Sequence, residues 1–193
     1  MNRGAAMAAV MALVLGAAWL GRRAAVKEIP SPVPLLQGGA SWTIPDFALK
    51  DDRSRVVKRA DLSGKPWVAA FIYADCGSQC PMMTAKMKAL RQGLPEAFLV
   101  SFSVDGNDTP ERLAAYKKAT GADWLFLTGK SGEVEELCRT GFKLPVADGV
   151  DEAEPIIHSD KLVLVDRDGR VRGFYDPADA EHLAGLARTL KSL

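Results

Sequence analysis

Continuous apolar segments separated by short polar turns predict the strands of this chain. Residues 67–74 (WVAAFIYA) and 97–104 (AFLVSFSV) are apolar almost throughout, which is typical of strands buried on both faces of a sheet. Residues 124–127 (WLFL) form a third, shorter segment of the same kind. All three are therefore predicted to lie in the interior of the protein.

Helix signals follow each of these strands. Pro81 is a favourable first-turn residue, and Asp108-Thr109-Pro110-Glu111 combines a capping side chain, a first-turn proline and an acidic residue. Gly121 and Gly141 are typical C-terminal stops. The predicted helices run from Pro81 to about residue 92, from residues 108–111 to 121, from 131 to 141, and from 176 to about 191.

Two further pairs of short segments predict β-hairpins. The first hairpin pairs residues 47–50 with 56–59 across a polar turn, and the second pairs residues 161–165 with 171–175. Residues 143–155 show neither pattern and are predicted to be irregular.

The order of these elements predicts the fold class. Strand and helix alternate three times, and short crossovers force parallel pairing of the first three strands. The later hairpin adds antiparallel strands. We therefore expect an α/β protein with a thioredoxin-like fold, in which helices flank a mixed central sheet, with an N-terminal hairpin and a membrane-anchor helix.

The first 23 residues contain an uncharged apolar stretch, from Gly4 to Gly21, followed by Arg22 and Arg23. About 18 such residues lie at the lower limit for crossing a bilayer, so a membrane anchor is favoured over a cleaved signal peptide and over a buried helix. The positive-inside rule alone would put the following domain in the cytoplasm. We divide the chain into an anchor or signal segment (1–23), a proline-containing linker (24–40) and a domain (41–193).

Charge and cysteine content narrow the function. The 193 residues include 25 Lys+Arg and 24 Asp+Glu, and a net charge of +1 gives no electrostatic reason to expect a nucleic-acid partner. Three cysteines are too few for a disulfide framework. They divide into a local pair, Cys76 and Cys80, and the distant Cys138.

Cys76 and Cys80 lie between the first buried strand and the helix that follows it. Ligands of α/β sheets bind at this end of the strands, and a helix N-terminus lowers the pKa of a thiol and so favours thiolate. The two sulfurs are about one helical turn apart. The pair is compatible with a structural disulfide, with a redox dithiol and with two ligands of a soft metal.

The presence of His158 favours the interpretation that the two cysteines bind a metal. This histidine precedes the predicted strand 161–165, and in a thioredoxin-like sheet the loop before this strand lies beside the helix that carries the cysteines. Two thiolates and a neutral imidazole suit copper, as Cu(I) or Cu(II). The other candidates are assigned structural roles: Cys138 and the methionines 82, 83 and 87 to the core, and His182 to the surface.

In these residues the chain resembles the Sco/SenC family of copper-binding proteins, over nearly all of residues 41–190. The most specific part is Cys76-Gly77-Ser78-Gln79-Cys80-Pro81 with the later His158-Ser159. The other matching segments are Pro45-Asp46-Phe47 with Leu49, Phe71-Ile72-Tyr73, Val104-Asp105 followed by Asp108-Thr109-Pro110, Leu127-Thr128-Gly129, and Val165-Asp166 with Gly169.

The resemblance implies a membrane-anchored thioredoxin-like domain on the non-cytoplasmic, periplasmic side. It implies copper bound by Cys76, Cys80 and His158, with Asp105 at an acidic loop position near that copper. It also implies delivery of copper to, or reduction of, the copper centre of cytochrome c oxidase, so the copper-centre subunit of the oxidase is an expected partner. Because a disulfide has no thiolate to donate, a thiol reductase is a second expected partner.

Two other functions could use the same cysteines. A membrane-anchored thiol-disulfide oxidoreductase would use Cys76 and Cys80 as its redox pair without metal, and would be expected to carry proline where His158 stands. A peroxiredoxin-like peroxidase is disfavoured, because Tyr73-Ala74-Asp75 lacks the Pro and the Thr or Ser that a peroxidatic loop needs. The sequence therefore favours a copper chaperone, with the oxidoreductase as the alternative.

Overall fold

Nine strands form the sheets of the described chain, which comprises residues 41–77, 79–149 and 156–193 of a computed structural model. Seven of these strands make one mixed sheet in the order β2-β1-β5-β4-β3-β8-β9, and β6 and β7 pair separately. The strands are β1 Ala48–Asp51, β2 Val56–Lys58, β3 Trp67–Ile72, β4 Phe98–Ser103, β5 Leu125–Thr128, β6 Val146–Asp148, β7 Ile156–His158, β8 Leu162–Val165 and β9 Val171–Tyr175.

The helices connect the strands as the sequence predicts. Their bounds are α1 Gln79–Gly93, α2 Pro110–Thr120, α3 Glu133–Glu136, which continues as a π-helix over Leu137–Gly141, and α4 Ala180–Ser192. A short 3-10 turn, Arg59–Leu62, follows β2. Thr109 caps α2 by accepting a hydrogen bond from the Arg112 amide, and Gly121 ends it with a positive φ of 65°.

Strand pairing brings the carboxyl ends of three strands to one edge of the sheet. β3, β4 and β5 are parallel to one another, whereas β8 is antiparallel to β3 and β9 is antiparallel to β8. The predicted N-terminal hairpin is confirmed as the antiparallel pair β1–β2, and β1 also pairs with β5. The segments that leave β3, β4 and β5 therefore meet at the edge where the cysteines lie.

The apolar strands bury their side chains as expected. All six residues of β3 and all four of β8 are buried, as strands in the middle of a sheet covered on both faces should be. Phe102 of β4 is the centre of an aromatic cluster, with ring centroids 5.5 to 6.1 Å from its neighbours. These neighbours are Phe47, Trp67, Phe71 and Phe142.

Three local predictions differ from the structure. The stretch 143–155, predicted to be irregular, contains β6, which pairs with β7 in an antiparallel ribbon. Helix α1 begins at Gln79 rather than Pro81, so Cys80 lies inside the helix. The last helix begins at Ala180, where the Asp179 side chain accepts hydrogen bonds from the Glu181 and His182 amides.

The predicted anchor or signal segment (1–23) and linker (24–40) lie outside the described residues. Among the helices of the described ranges, none is long and apolar enough to cross a bilayer.

Candidate metal centre

Cys76 and Cys80 are held by the turn that joins β3 to α1. The amide of Cys76 donates to the Tyr73 carbonyl at 3.3 Å, which closes the turn directly after the strand. The amide of Cys80, in the first turn of α1, donates to the Cys76 sulfur at 3.3 Å. The Cys76 sulfur therefore lies against the N-terminus of the helix, and it accepts one of the amide hydrogens that the first turn leaves without a helical partner.

Both thiols of the pair are buried. Cys80 is fully buried and Cys76 is 8% exposed, and neither forms a disulfide here. Burial, and then the neighbouring Cys76, raise the pKa of the Cys80 thiol well above its usual value. The expectation that the helix N-terminus makes the pair acidic is therefore wrong for Cys80, because the cost of removing a thiolate from water exceeds the gain from the helix.

His158 lies beside Cys80, as the predicted topology requires, but on strand β7 rather than in a loop. Its Nε2 is 3.4 Å from the Cys80 sulfur, and its Nδ1 is 3.0 Å from the Ser159 carbonyl. The ring of Tyr73 packs edge-on against the imidazole, with centroids 5.7 Å apart. One histidine thus joins the β6–β7 ribbon to the cysteine turn.

The contacts of the imidazole define its tautomer. A carbonyl oxygen can only accept, so the ring hydrogen is on Nδ1 and is donated to Ser159. Nε2 lies 3.4 Å from the Cys80 sulfur, and in the neutral ring it meets that sulfur without a hydrogen of its own. The lone pair of Nε2 therefore faces the sulfur, in the orientation that a metal between the two atoms would need.

Asp108 has a role near the cysteines that its position before a helix does not predict. The cap of α2 is Thr109, and the Asp108 side chain is fully buried. Its Oδ2 accepts from the Ala74 amide at 2.8 Å, in the turn that leads to Cys76. Asp105 instead accepts hydrogen bonds from Asn107 within its own loop.

The remaining sulfur and imidazole side chains have the structural roles expected of them, with one exception. Cys138, Met83 and Met87 are fully buried, which confirms them as core residues, whereas Met82 is 50% exposed. His182 is half-buried and its Nδ1 accepts the Asp176 amide hydrogen. Across the described ranges, no three His, Cys, Asp or Glu side chains stand together as a preformed metal site.

Sequence comparison places these residues in a family context. The sequence model of the SCO1/SenC family matches residues 37–192. A SCO1 protein homolog of Bacillus subtilis (strain 168) is 34% identical over 161 residues, which cover 79% of this chain and 83% of the relative. The chain is thus similar to this relative over most of both proteins.

Solved structures agree with the sequence matches. A SCO1/SenC family lipoprotein from Bacillus anthracis str. Ames is 30% identical, with a TM-score of 0.72 over 79% of this chain and 95% of its own. BsSco, a member of the Sco family of cytochrome c oxidase assembly proteins with a disulfide switch, is 29% identical, with a TM-score of 0.69 over 81% and 96%.

A more distant structure, ScoI of Bradyrhizobium japonicum with copper bound, is 23% identical and has a TM-score of 0.63 over 76% of this chain and 99% of its own. It shares the fold, and it shows that a Sco homologue binds copper. From the match of the family model and the identity to the Bacillus subtilis relative, this chain belongs to the SCO1/SenC family.

Proposed function

We propose that this chain binds one copper ion through Cys76, Cys80 and His158, and that it acts in assembling the copper centre of cytochrome c oxidase. The observation that carries the proposal is the 3.4 Å contact between the Cys80 sulfur and Nε2 of His158, with Cys76 next to Cys80. Two soft sulfurs and an imidazole are a donor set that suits copper.

The surroundings of His158 support this role. Histidines that bind metals typically donate their second ring hydrogen to a carbonyl or carboxylate, and here Nδ1 donates to the Ser159 carbonyl. Nε2 and the Cys80 sulfur lie 3.4 Å apart. Since thiolate is the form that binds metal, loading with copper releases thiol protons.

The cysteines provide the direct test of copper binding. We expect the full-length chain, purified with its thiols reduced, to hold one copper, and Cys76→Ser or Cys80→Ser to lose it. Cys138→Ala is the matched control, because Cys138 is also buried and its thiol instead lies 3.9 Å from the Leu144 carbonyl. The copper content of each variant is measured by elemental analysis. One copper per chain in a Cys76/Cys80 double variant would overturn the proposal.

Thiol-disulfide exchange is the second candidate function, because the two thiols are adjacent and a related structure, BsSco, is described with a disulfide switch. Oxidation of Cys76 and Cys80 to a disulfide releases two electrons and two protons, which a disulfide on a client or reductase would accept. Oxidase activity in cells that carry only His158→Ala separates the two functions. Full activity would mean that the thiols suffice and that copper delivery is wrong.

We further propose that residues 1–23 tether the domain to a membrane and that the domain lies on the periplasmic side. The Bacillus anthracis relative is described as a lipoprotein, which supports an attachment to the membrane. On that side the expected contacts are the copper-centre subunit of the oxidase and a thiol reductase. An oxidising compartment would convert Cys76 and Cys80 to the disulfide, so copper loading would depend on that reductase.

A further inference from the structure

One residue, Asp108, bonds to the ends of all three parallel strands, to two of them through its buried carboxylate and to the third through its main-chain carbonyl. Oδ2 of Asp108 accepts hydrogen bonds from the Ala74 amide, just beyond β3, and from the Ser103 hydroxyl, at the end of β4, at 2.8 and 2.6 Å. The hydroxyl of Thr128, at the end of β5, donates to the Asp108 carbonyl at 2.7 Å. A single residue therefore fixes the edge of the sheet from which the cysteine turn emerges.

The hydrogen bond to Ala74 acts on the cysteine turn directly. Ala74 lies between Tyr73, whose carbonyl accepts the Cys76 amide hydrogen, and Cys76 itself. Tyr73 also packs its ring against His158. A displacement of the peptide between Tyr73 and Ala74 would therefore move Cys76 and the support of the imidazole together.

Arg112 pairs with the Asp108 carboxylate in this buried position. Its Nε donates to Oδ1 of Asp108 at 3.1 Å, and its NH2 group bonds to Asp75, the residue before Cys76, at 2.5 Å. A buried carboxylate needs such a partner because an isolated charge in the interior is costly. Hydrogen bonds to a charged acceptor are also stronger than those to a neutral one, which tightens the hold on Ala74.

We propose that Asp108 is a positioning residue of the Cys76–Cys80–His158 centre, acting through the Ala74 amide. The inference deepens the proposed function, since it names a residue that holds the copper ligands in place. It applies equally to the cysteines as a redox pair, because the same turn carries Cys76 in both roles. It therefore has one readout with copper and one without metal.

The experiment compares Asp108→Ala with the conservative Asp108→Asn in the full-length chain. Alanine removes every acceptor of the carboxylate, whereas the asparagine oxygen can still accept from Ala74 and Ser103 as a weaker, neutral acceptor. We expect copper affinity to fall by about 10- to 100-fold in Asp108→Ala, the range typical of lost supports around metal ligands, and by less in Asp108→Asn. The sulfur-to-Cu(II) absorption band should shift in the same order.

Asp51 offers a closely matched control. Like Asp108, it has a fully buried side chain, an arginine four residues later that pairs with it, and main-chain amides that donate to it. It lies on β1, three strands from β3 in the sheet and hence about 14 Å away. Asp51→Ala and Asp51→Asn should lower the midpoint of urea unfolding but leave copper affinity, the absorption band and the thiol potential unchanged.

The readout without metal is the midpoint potential of the Cys76–Cys80 disulfide. It is measured by equilibrating the metal-free chain with a redox buffer of a small-molecule dithiol and its disulfide. Reduction adds two electrons and two protons to the disulfide. The midpoint potential of this step should shift in the Asp108 variants but not in the Asp51 variants. If the wild-type chain binds no copper, the proposed function fails, and the potential alone then tests Asp108.

Three results would overturn the inference. One is a folded Asp108→Ala variant with wild-type copper affinity, spectrum and potential. If Asp108→Ala does not fold, the second is a folded Asp108→Asn variant that matches the wild type in copper affinity, spectrum and potential. Changes of equal size in the Asp51 variants would also overturn it, since they would show a general effect of lost stability.

Discussion

Replacing His158 with alanine is the sharpest test of the proposed copper site. The substitution removes the contacts of the imidazole with the Cys80 sulfur at 3.4 Å and the Ser159 carbonyl at 3.0 Å, and the edge contact with Tyr73. It leaves both sulfurs in place. It therefore removes the nitrogen donor without touching the thiols.

The size of each effect follows from these contacts. One hydrogen bond to a carbonyl is worth about 0.5–1.5 kcal/mol and one aromatic contact about the same, so we expect a stability loss of about 1–3 kcal/mol. A domain of ordinary stability, about 5–15 kcal/mol, remains folded after such a loss. The loss of copper affinity should exceed the roughly 10- to 100-fold typical of lost supporting residues, because His158 is proposed as a ligand itself.

The assay is a competition titration of the reduced full-length chain with a chromophoric Cu(I) chelator. His182→Ala is the matched control, because this other histidine, in the last helix, is half-buried and accepts the Asp176 amide hydrogen. We expect the control to bind copper as the wild type does. The rate of thiol-disulfide exchange should stay largely intact in His158→Ala, because the imidazole contributes no sulfur. Equal copper affinity in the two histidine variants would refute the assignment of His158 as a ligand.

Two other predictions concern stability and topology. Burial works to raise the pKa of Asp51, but hydrogen bonds from the Arg55 side chain and from the Arg55 and Arg53 amides outweigh it and lower the pKa below its ordinary value. The resulting stability is present above the unfolded-state pKa, near 4, and is lost as the pH falls further, so Asp51→Asn should flatten the acid side of a plot of urea midpoint against pH. An Asp51→Asn curve parallel to the wild type would contradict this. An alkaline phosphatase fused after Leu193 should be active if the domain is periplasmic; an inactive phosphatase together with a fluorescent cytoplasmic reporter would place the domain in the cytoplasm.

The central sheet was predictable because its strands carry a local signal. Residues of β3 and β8 are apolar throughout, and the turn between β8 and β9 has the expected sequence, with Gly169 at a φ of 78°. The ribbon β6–β7 carries no such signal, since each strand has three residues and the pairing of Val146 with His158 spans a long interval of chain. Short strands that depend on a distant partner are invisible to periodicity.

The contacts of Cys80 with Cys76 and His158 were predictable from the sequence, but the chemistry of the thiols was not. Motif and topology brought Cys76, Cys80 and His158 together, since each stands at the end of a predicted element. The pKa of Cys80 depends on burial that only the packed structure supplies, so the expected effect of the helix N-terminus was wrong there. Asp108 was missed as a support because both Asp and Thr are favoured N-cap residues, so the sequence does not show that Thr109 caps α2 while the Asp108 carboxylate bonds to the Ala74 amide.

The separate ribbon that carries His158 has a consequence for how the site can open. The cysteines are anchored to the seven-stranded sheet, whereas β7 is hydrogen-bonded to β6 in a ladder of its own. A two-stranded ribbon is marginally stable by itself. Withdrawing the imidazole from the thiols therefore requires no break in the hydrogen bonds of the main sheet. Separating the proposed ligands would therefore leave the main sheet paired, and the cost would come from the packing of Val146 and Ile156 against the core and from the contacts of the imidazole.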